Sequence, residues 1–179
     1  MKKKLLLLLL PFSFPLLVKS QIDKRLSRAY VGIMAHQGTF GGSVVNSFGV
    51  NRYFGVGAGV DITSFEKKVL VPFYADVRGR IQFNNFEPYI VGQFGKQLYT
   101  KDLPELRRGE KYNTTGKYFY GAGAGIAYKP GKIGYYISYI YRSYKYKSYS
   151  LGTSINGVIG YQEKDLNEGA SVLSAGLIF

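Results

Sequence analysis

The chain has 179 residues, neither cysteine nor tryptophan, and 24 lysines and arginines against 11 aspartates and glutamates, for a formal net charge of +13. Without cysteine it can be neither a lipid-anchored lipoprotein of the bacterial type nor a disulfide-stapled secreted domain. Beyond the N-terminus no stretch approaches the roughly 18 apolar residues of a membrane helix, whereas 17 Tyr, 12 Phe and 23 Gly suit strands and close-packed interiors.

Residues 1–20, MKKKLLLLLLPFSFPLLVKS, begin with lysines, continue with an apolar stretch from Leu5 to Val18 and end on the small residue Ser20. This is the pattern of a cleaved secretory signal peptide. Pro11 and Pro15 interrupt the apolar stretch, and it falls short of the about 20 residues that span a bilayer as a helix. Cleavage after Ser20 leaves one domain, residues 21–179; four lysines depart with the leader, so 20 basic residues face 11 acidic ones and the net charge is +9.

From there the chain alternates with a period of two. Strands are predicted near residues 28–36, 43–51, 54–64, 70–81, 86–98, 116–128, 132–146 and 169–179. The third is the clearest: Phe54, Val56, Ala58, Val60 and Ile62 alternate with Gly55, Gly57, Gly59, Asp61 and Thr63. In the fourth, Val71, Phe73, Ala75 and Val77 alternate with Tyr74, Asp76, Arg78 and Arg80; in the sixth, Tyr118, Tyr120, Ala122, Ala124, Ile126 and Tyr128 alternate with Phe119 and glycines. The seventh sets Ile133, Tyr135, Ile137, Tyr139 and Tyr141 against Gly134, Tyr136, Ser138, Ile140 and Arg142. The second and fifth are the least regular, with Asn46 and Gln93 as polar interruptions. Connections alternate in length: Asn51–Tyr53, Phe83–Asn85 and Lys129-Pro130-Gly131 are tight, Gln37–Gly42 and Ser64–Val69 modest, Thr100–Thr115 and Lys147–Glu168 long and polar. Short turns at one rim and longer loops at the other form the layout of an outer-membrane barrel.

A soluble sandwich would carry charges on its outward faces. Here the non-apolar faces hold glycines with Asp61, Asp76, Arg78, Arg80 and Arg142, a set that suits a narrow interior better than a solvated surface. In lipid every backbone polar group must be paired internally, and eight strands close without an edge. The fold predicted is an all-β, eight-stranded antiparallel up-and-down transmembrane β-barrel. Tyr118, Tyr128, Tyr135 and Tyr141 are placed for aromatic girdles.

Three stretches, SFGVNRYFGVGAGVDI, VPFYADVRGRIQFNNFEPYIVGQFG and the terminal SVLSAGLIF, resemble the outer-membrane β-barrel domain families of the eight-stranded OmpA and OmpX type, particularly their Bacteroidota-type versions. The resemblance implies residence in the outer membrane of a Gram-negative bacterium, and contact with outer-membrane lipids and lipopolysaccharide. It also implies that Leu173, Ala175, Leu177 and Phe179 form the signal read by the barrel-assembly machinery. It specifies architecture, not activity.

The interior cluster Asp61, Asp76, Arg78, Arg80 and Arg142 is expected to be structural, an ion-pair network filling the lumen; the alternative is a narrow, porin-like hydrated path for solutes. The glycine runs beginning at Gly55 and Gly121 are not nucleotide loops, since glycine at every second residue makes one face of a strand and opens no helix. His36, the single histidine, is expected at a loop entrance; a lipid A-modifying enzyme would pair it with a serine or carboxylate such as Ser43, Ser64 or Glu66, yet no His-x-Ser spacing exists. One histidine and no cysteine argue against a metal site, and neither a catalytic residue nor a cofactor is expected. Lys101, Arg107, Arg108, Lys111 and Lys117, with Asp102, Glu105 and Glu110, form a charged loop suited to lipopolysaccharide phosphates. Asn113-Thr114-Thr115 matches a glycosylation sequon, a weak signal. The dispersed basic residues of an exported chain argue against nucleic acid as a partner. The sequence reading is thus a non-enzymatic, monomeric outer-membrane barrel with a structural or surface-interaction role.

Overall fold

The computed structural model of the protein describes residues 27–65, 68–103, 112–151 and 161–179. The predicted leader, residues 1–20, and Glu66, Glu105, Arg107, Arg108, Glu110 and Lys111 lie outside the described residues. Strands run over Arg28–His36 (β1), Thr39–Gly49 (β2), Phe54–Phe65 (β3), Lys68–Arg80 (β4), Phe86–Leu98 (β5), Thr100–Leu103 (β6), Tyr112–Tyr128 (β7), Gly134–Leu151 (β8) and Tyr161–Ile178 (β9). β5 and β6 are one barrel strand interrupted at Tyr99, since both pair with β7. Neighbours are antiparallel in chain order, and β1 pairs with β9 from Tyr30↔Ile178 to His36↔Val172. The result is a closed eight-stranded barrel.

The first, third and fifth predicted strands agree with β1, β3 and β5 to within a residue. The second begins four residues earlier than predicted, because the supposed Gln37–Gly42 connection is a two-residue hairpin. Gln37 and Gly38 both have positive φ, 46° and 79°, as a tight turn matching strand twist requires. The larger correction concerns the loops. The described parts of Thr100–Thr115 and Lys147–Glu168, read from their polarity as loops, are strand: β6 spans Thr100–Leu103, β7 starts at Tyr112, β8 continues to Leu151 and β9 starts at Tyr161. They continue the ladder beyond the barrel, from Tyr144↔Glu168 to Leu151↔Tyr161. Polar strand residues are compatible with a sheet wetted on its faces, so composition misjudges them.

Alternation sorts the side chains. The outward set is apolar and open: Ile33 and Ile90 are 67% and 68% exposed, and Val44, Ile62, Phe73 and Ile137 also point out. A soluble monomer does not carry such a continuous belt, whereas a bilayer requires it. The inward set is polar and aromatic. Glycines on that face make room for rings: a Cβ at Gly59 would lie 2.5 Å from the Tyr74 ring, and one at Gly125 equally close to Tyr89.

Candidate functional site

The inward parity of β3, β4, β5 and β8 brings Asp61, Asp76, Arg78, Gln93 and Arg142 into one buried network. Arg142 Nη1 donates to Asp61 Oδ2 at 2.6 Å, and its Nε and Nη2 donate to Gln93 Oε1 at 3.0 and 2.8 Å. Gln93 Nε2 in turn donates to Asp76 Oδ2 at 3.0 Å, and Arg78 Nε donates to Asp76 Oδ1 at 2.6 Å. Two carboxylates and two guanidiniums are thus joined through one amide, and the row is electrically neutral. Neutrality is what the site needs, since an unpaired charge removed from water costs on the order of several kcal/mol.

Aromatic rings pack against the network from both sides. The Arg78 guanidinium lies 3.7 Å from the centroid of Tyr30 and 5.0 Å from that of Tyr89, and Tyr30 meets Tyr136 edge-on at 5.3 Å. Arg142 lies 5.1 Å from Tyr74 and 5.3 Å from Phe119, and the Tyr74 hydroxyl donates to Asp61 Oδ1 at 2.8 Å. Phe119 continues to Tyr144 at 5.2 Å, and Tyr99 packs on Tyr146 at 5.3 Å near the far rim. Cation–π contact partly replaces the hydration that these guanidiniums lose.

Arg80 does not join the network. It lies toward the rim that carries the tight turns, 3.8 Å from Glu87, and Arg28 approaches the same carboxylate at 3.5 Å. The five residues predicted as one cluster therefore divide into a central four and Arg80. Sequence reading missed Gln93, Glu87 and Arg28 altogether. Their inward parity was the available signal, because Gln93 stands two residues from Val91 and Glu87 two from Tyr89, all facing the lumen.

His36 is at the outer end of β1, but it is fully buried and inward, its ring 5.4 Å from Tyr144 and edge-on to it. It is not the rim residue at a loop entrance that its position in sequence suggests. The extra length of β7, β8 and β9 continues inward packing past the end of β1 and covers it. Ser43 is likewise buried on the inward face, while the Ser64 carbonyl accepts from Thr39 Oγ1. Among the described residues no group of three His, Asp or Glu side chains is disposed to hold a metal.

Outside the lumen, the projecting parts of β7, β8 and β9 carry the other charged array. Lys117 Nζ donates to Asp165 Oδ1 at 2.6 Å, and Lys147 lies 2.5 Å from Glu163. The Lys117 ammonium holds the Asp165 carboxyl below the usual carboxylate range, chiefly through that hydrogen bond. The sequon residue Thr114 sits in β7, its hydroxyl donating to Ser148 Oγ at 3.2 Å. On β9, Leu173, Leu177 and Phe179 face outward and Ala175 is half-exposed, all of one parity. Phe179 itself exchanges backbone hydrogen bonds with Ala29 at 3.0 and 3.2 Å, sealing the seam.

A crystal structure of Neisserial surface protein A matches this arrangement with a TM-score of 0.53 over 85% of this chain and 92% of that one, at 13% sequence identity. The chain has the fold of an outer-membrane barrel. No protein-family model and no curated protein matches the sequence. At 13% identity the likeness to the Neisserial protein extends to architecture and stops there.

Proposed function

We propose that the protein is a non-enzymatic, non-conducting barrel of a Gram-negative outer membrane, acting at the cell surface through the sheet that β7, β8 and β9 project beyond the belt. The observation that carries this reading is the lumen. Its width is crossed by the Asp61–Arg142–Gln93–Asp76–Arg78 row, with aromatic layers on both sides, so the interior serves closure rather than passage. What the chain elaborates instead lies outside the belt, where strands of 17 and 18 residues exceed the 9 to 13 of β1 to β4.

The OmpA- and OmpX-like, Bacteroidota-type resemblance supports the same placement. Leu173, Ala175, Leu177 and Phe179 then present their outward parity to the assembly machinery. Lipopolysaccharide fits the outer rim, where Lys96 stands exposed on β5 between Phe94 and Leu98, and its flexible stem lets the ammonium reach phosphate depth. His36 is buried among Tyr144, Arg142 and Asp61, which disfavours lipid A chemistry at the rim.

Two measurements test the reading. Purified protein in planar bilayers is expected to show no unitary conductance, and intact cells treated with a membrane-impermeant amine reagent are expected to label Lys164. Stable channels would refute the closed lumen; labelling of Lys164 only after lysis would refute the surface placement.

A further inference from the structure

Strand register locates the outer boundary of the apolar belt on β5, β7 and β8. Phe86, Tyr128 and Tyr135 stand in one outward row at the rim that carries the tight turns. Ten residues along each strand, from Phe86 to Lys96, from Tyr128 to Tyr118 and from Tyr135 to Lys145, the outward row reads Lys96, Tyr118 and Lys145 and continues through Asn167 on β9. Between the two rows no outward residue of β5, β7 or β8 is charged. Ten residues at about 3.4 Å each, on strands tilted by about 40°, rise about 25 Å, which is the height of the apolar band of an outer-membrane barrel. Lys96 and Lys145 therefore stand at the outer interface, where their stems lie along apolar surface and their ammonium groups meet the headgroups.

The charge of this row is not compensated within the sheet. A β-bulge in β7 sets two residues, Lys117 and Tyr118, opposite Lys145, and a bulge re-aims the side chains it carries. Both reach the outward face: Lys117 bonds Asp165, and Tyr118 is 44% exposed beside the Phe94 ring. Asp165 is thereby taken by Lys117, as Glu163 is by Lys147. Lys96 and Lys145 have no ion pair among the described residues, and their row ends on Phe73 and Asn167 without a carboxylate. Neighbouring strands are about 4.8 Å apart, so the two lysines leave the sheet about 10 Å apart with Tyr118 between them. We propose that Lys96, Tyr118 and Lys145 bind a phosphate group of an outer-leaflet lipid. This rests on the surface placement of the projecting sheet argued above, and it turns one exposed lysine into a defined site. Depth selects the ligand, since the anions at the edge of a hydrocarbon layer are those of lipid headgroups. A phosphate there accepts charge-assisted hydrogen bonds from both ammonium groups and a further one from the Tyr118 hydroxyl.

The test uses the purified barrel in detergent and two probes, lipid A bearing its phosphates and the same lipid after dephosphorylation, with native mass spectrometry reading the bound fraction. The wild type is expected to hold the phosphorylated lipid and to bind the dephosphorylated one more weakly. Lys96→Gln and Lys145→Gln are each expected to weaken binding of the phosphorylated lipid about fivefold, and the double variant about 25-fold, on the scale of single lysines at an anionic surface. Lys132→Gln removes the same charge from an exposed position beside the Lys129-Pro130-Gly131 turn and is expected to leave binding unchanged. Heat-dependent electrophoretic mobility checks that every variant is a closed barrel. Equal affinity for the two lipids, indifference to the double substitution, or equal weakening by Lys132→Gln would each overturn the site. Labelling of Lys164 on intact cells reads the surface placement separately: any of these outcomes with Lys164 still labelled defeats this inference alone, whereas labelling only after lysis defeats both.

Discussion

At the residue scale, the central network sets a sign that pair-counting alone would miss. Asp61 and Arg142 are both essentially inaccessible, with side-chain exposures of 0% and 2%, so removing one partner strands the other. Arg142→Met is expected to destabilise the folded barrel by about 3 to 5 kcal/mol, whereas Asp61→Leu combined with Arg142→Met should recover most of that loss, since an apolar pair of similar volume is often neutral or better. Unfolding by denaturant in lipid vesicles measures both; additive losses in the double variant would contradict the account. Gly59 offers a second test by sterics instead of charge. A methyl group there meets the Tyr74 ring, so Gly59→Ala should cost about 1 to 3 kcal/mol by overpacking, and less once Tyr74→Ala has removed the ring. Equal losses in both backgrounds would show that the glycine serves something other than the ring.

At the element scale, what the sequence makes legible is parity, and what it conceals is extent. Phe54 to Thr63 shows its two faces plainly because one is apolar and the other glycine or acid, and β3 is where predicted. Lys147, Glu163 and Asp165 also stand in a paired sheet, but the stretches Lys147–Ser150 and Gln162–Asp165 hold almost no apolar residue, so periodicity carries little contrast there and they read as loop. The candidate site was legible as a set of inward charges but not as a circuit. Gln93, the amide joining the two ion pairs, looked like an interruption because its partners come from β4 and β8, far away in sequence. Ion pairing in the projecting sheet has a pH signature. The Asp165 carboxyl titrates below its unfolded value of about 3.9, so its contribution is present above that value and is lost as pH falls through the folded one. Carbon NMR of Asp165 in micelles should show a depressed midpoint that returns upward in Lys117→Met; an unchanged midpoint would mean that the hydrogen bond does not form in solution.

At the scale of the whole molecule, the belt and the lumen invert the arrangement of a soluble domain, and the inversion fixes what each substitution will cost in lipid. Depth decides the magnitude. Leu177 pairs with Val31 and Tyr135, close to the seam between Phe179 and Ala29 at the turn-bearing rim, whereas Ile137 pairs with Ala175 and Ile126, farther from that rim. A charge introduced at Ile137 lies two residues farther from that rim than one at Leu177 and reaches the interface less readily. Ile137→Arg is therefore expected to cost more folding free energy in a bilayer than Leu177→Arg, both within the about 0 to 4 kcal/mol that an arginine costs between the interface and the midplane. In detergent micelles, which adapt around a charge, the difference between them should shrink. Equal costs in bilayers would place the belt at a different height on the barrel, and negligible costs at both positions would remove the outward face from lipid altogether.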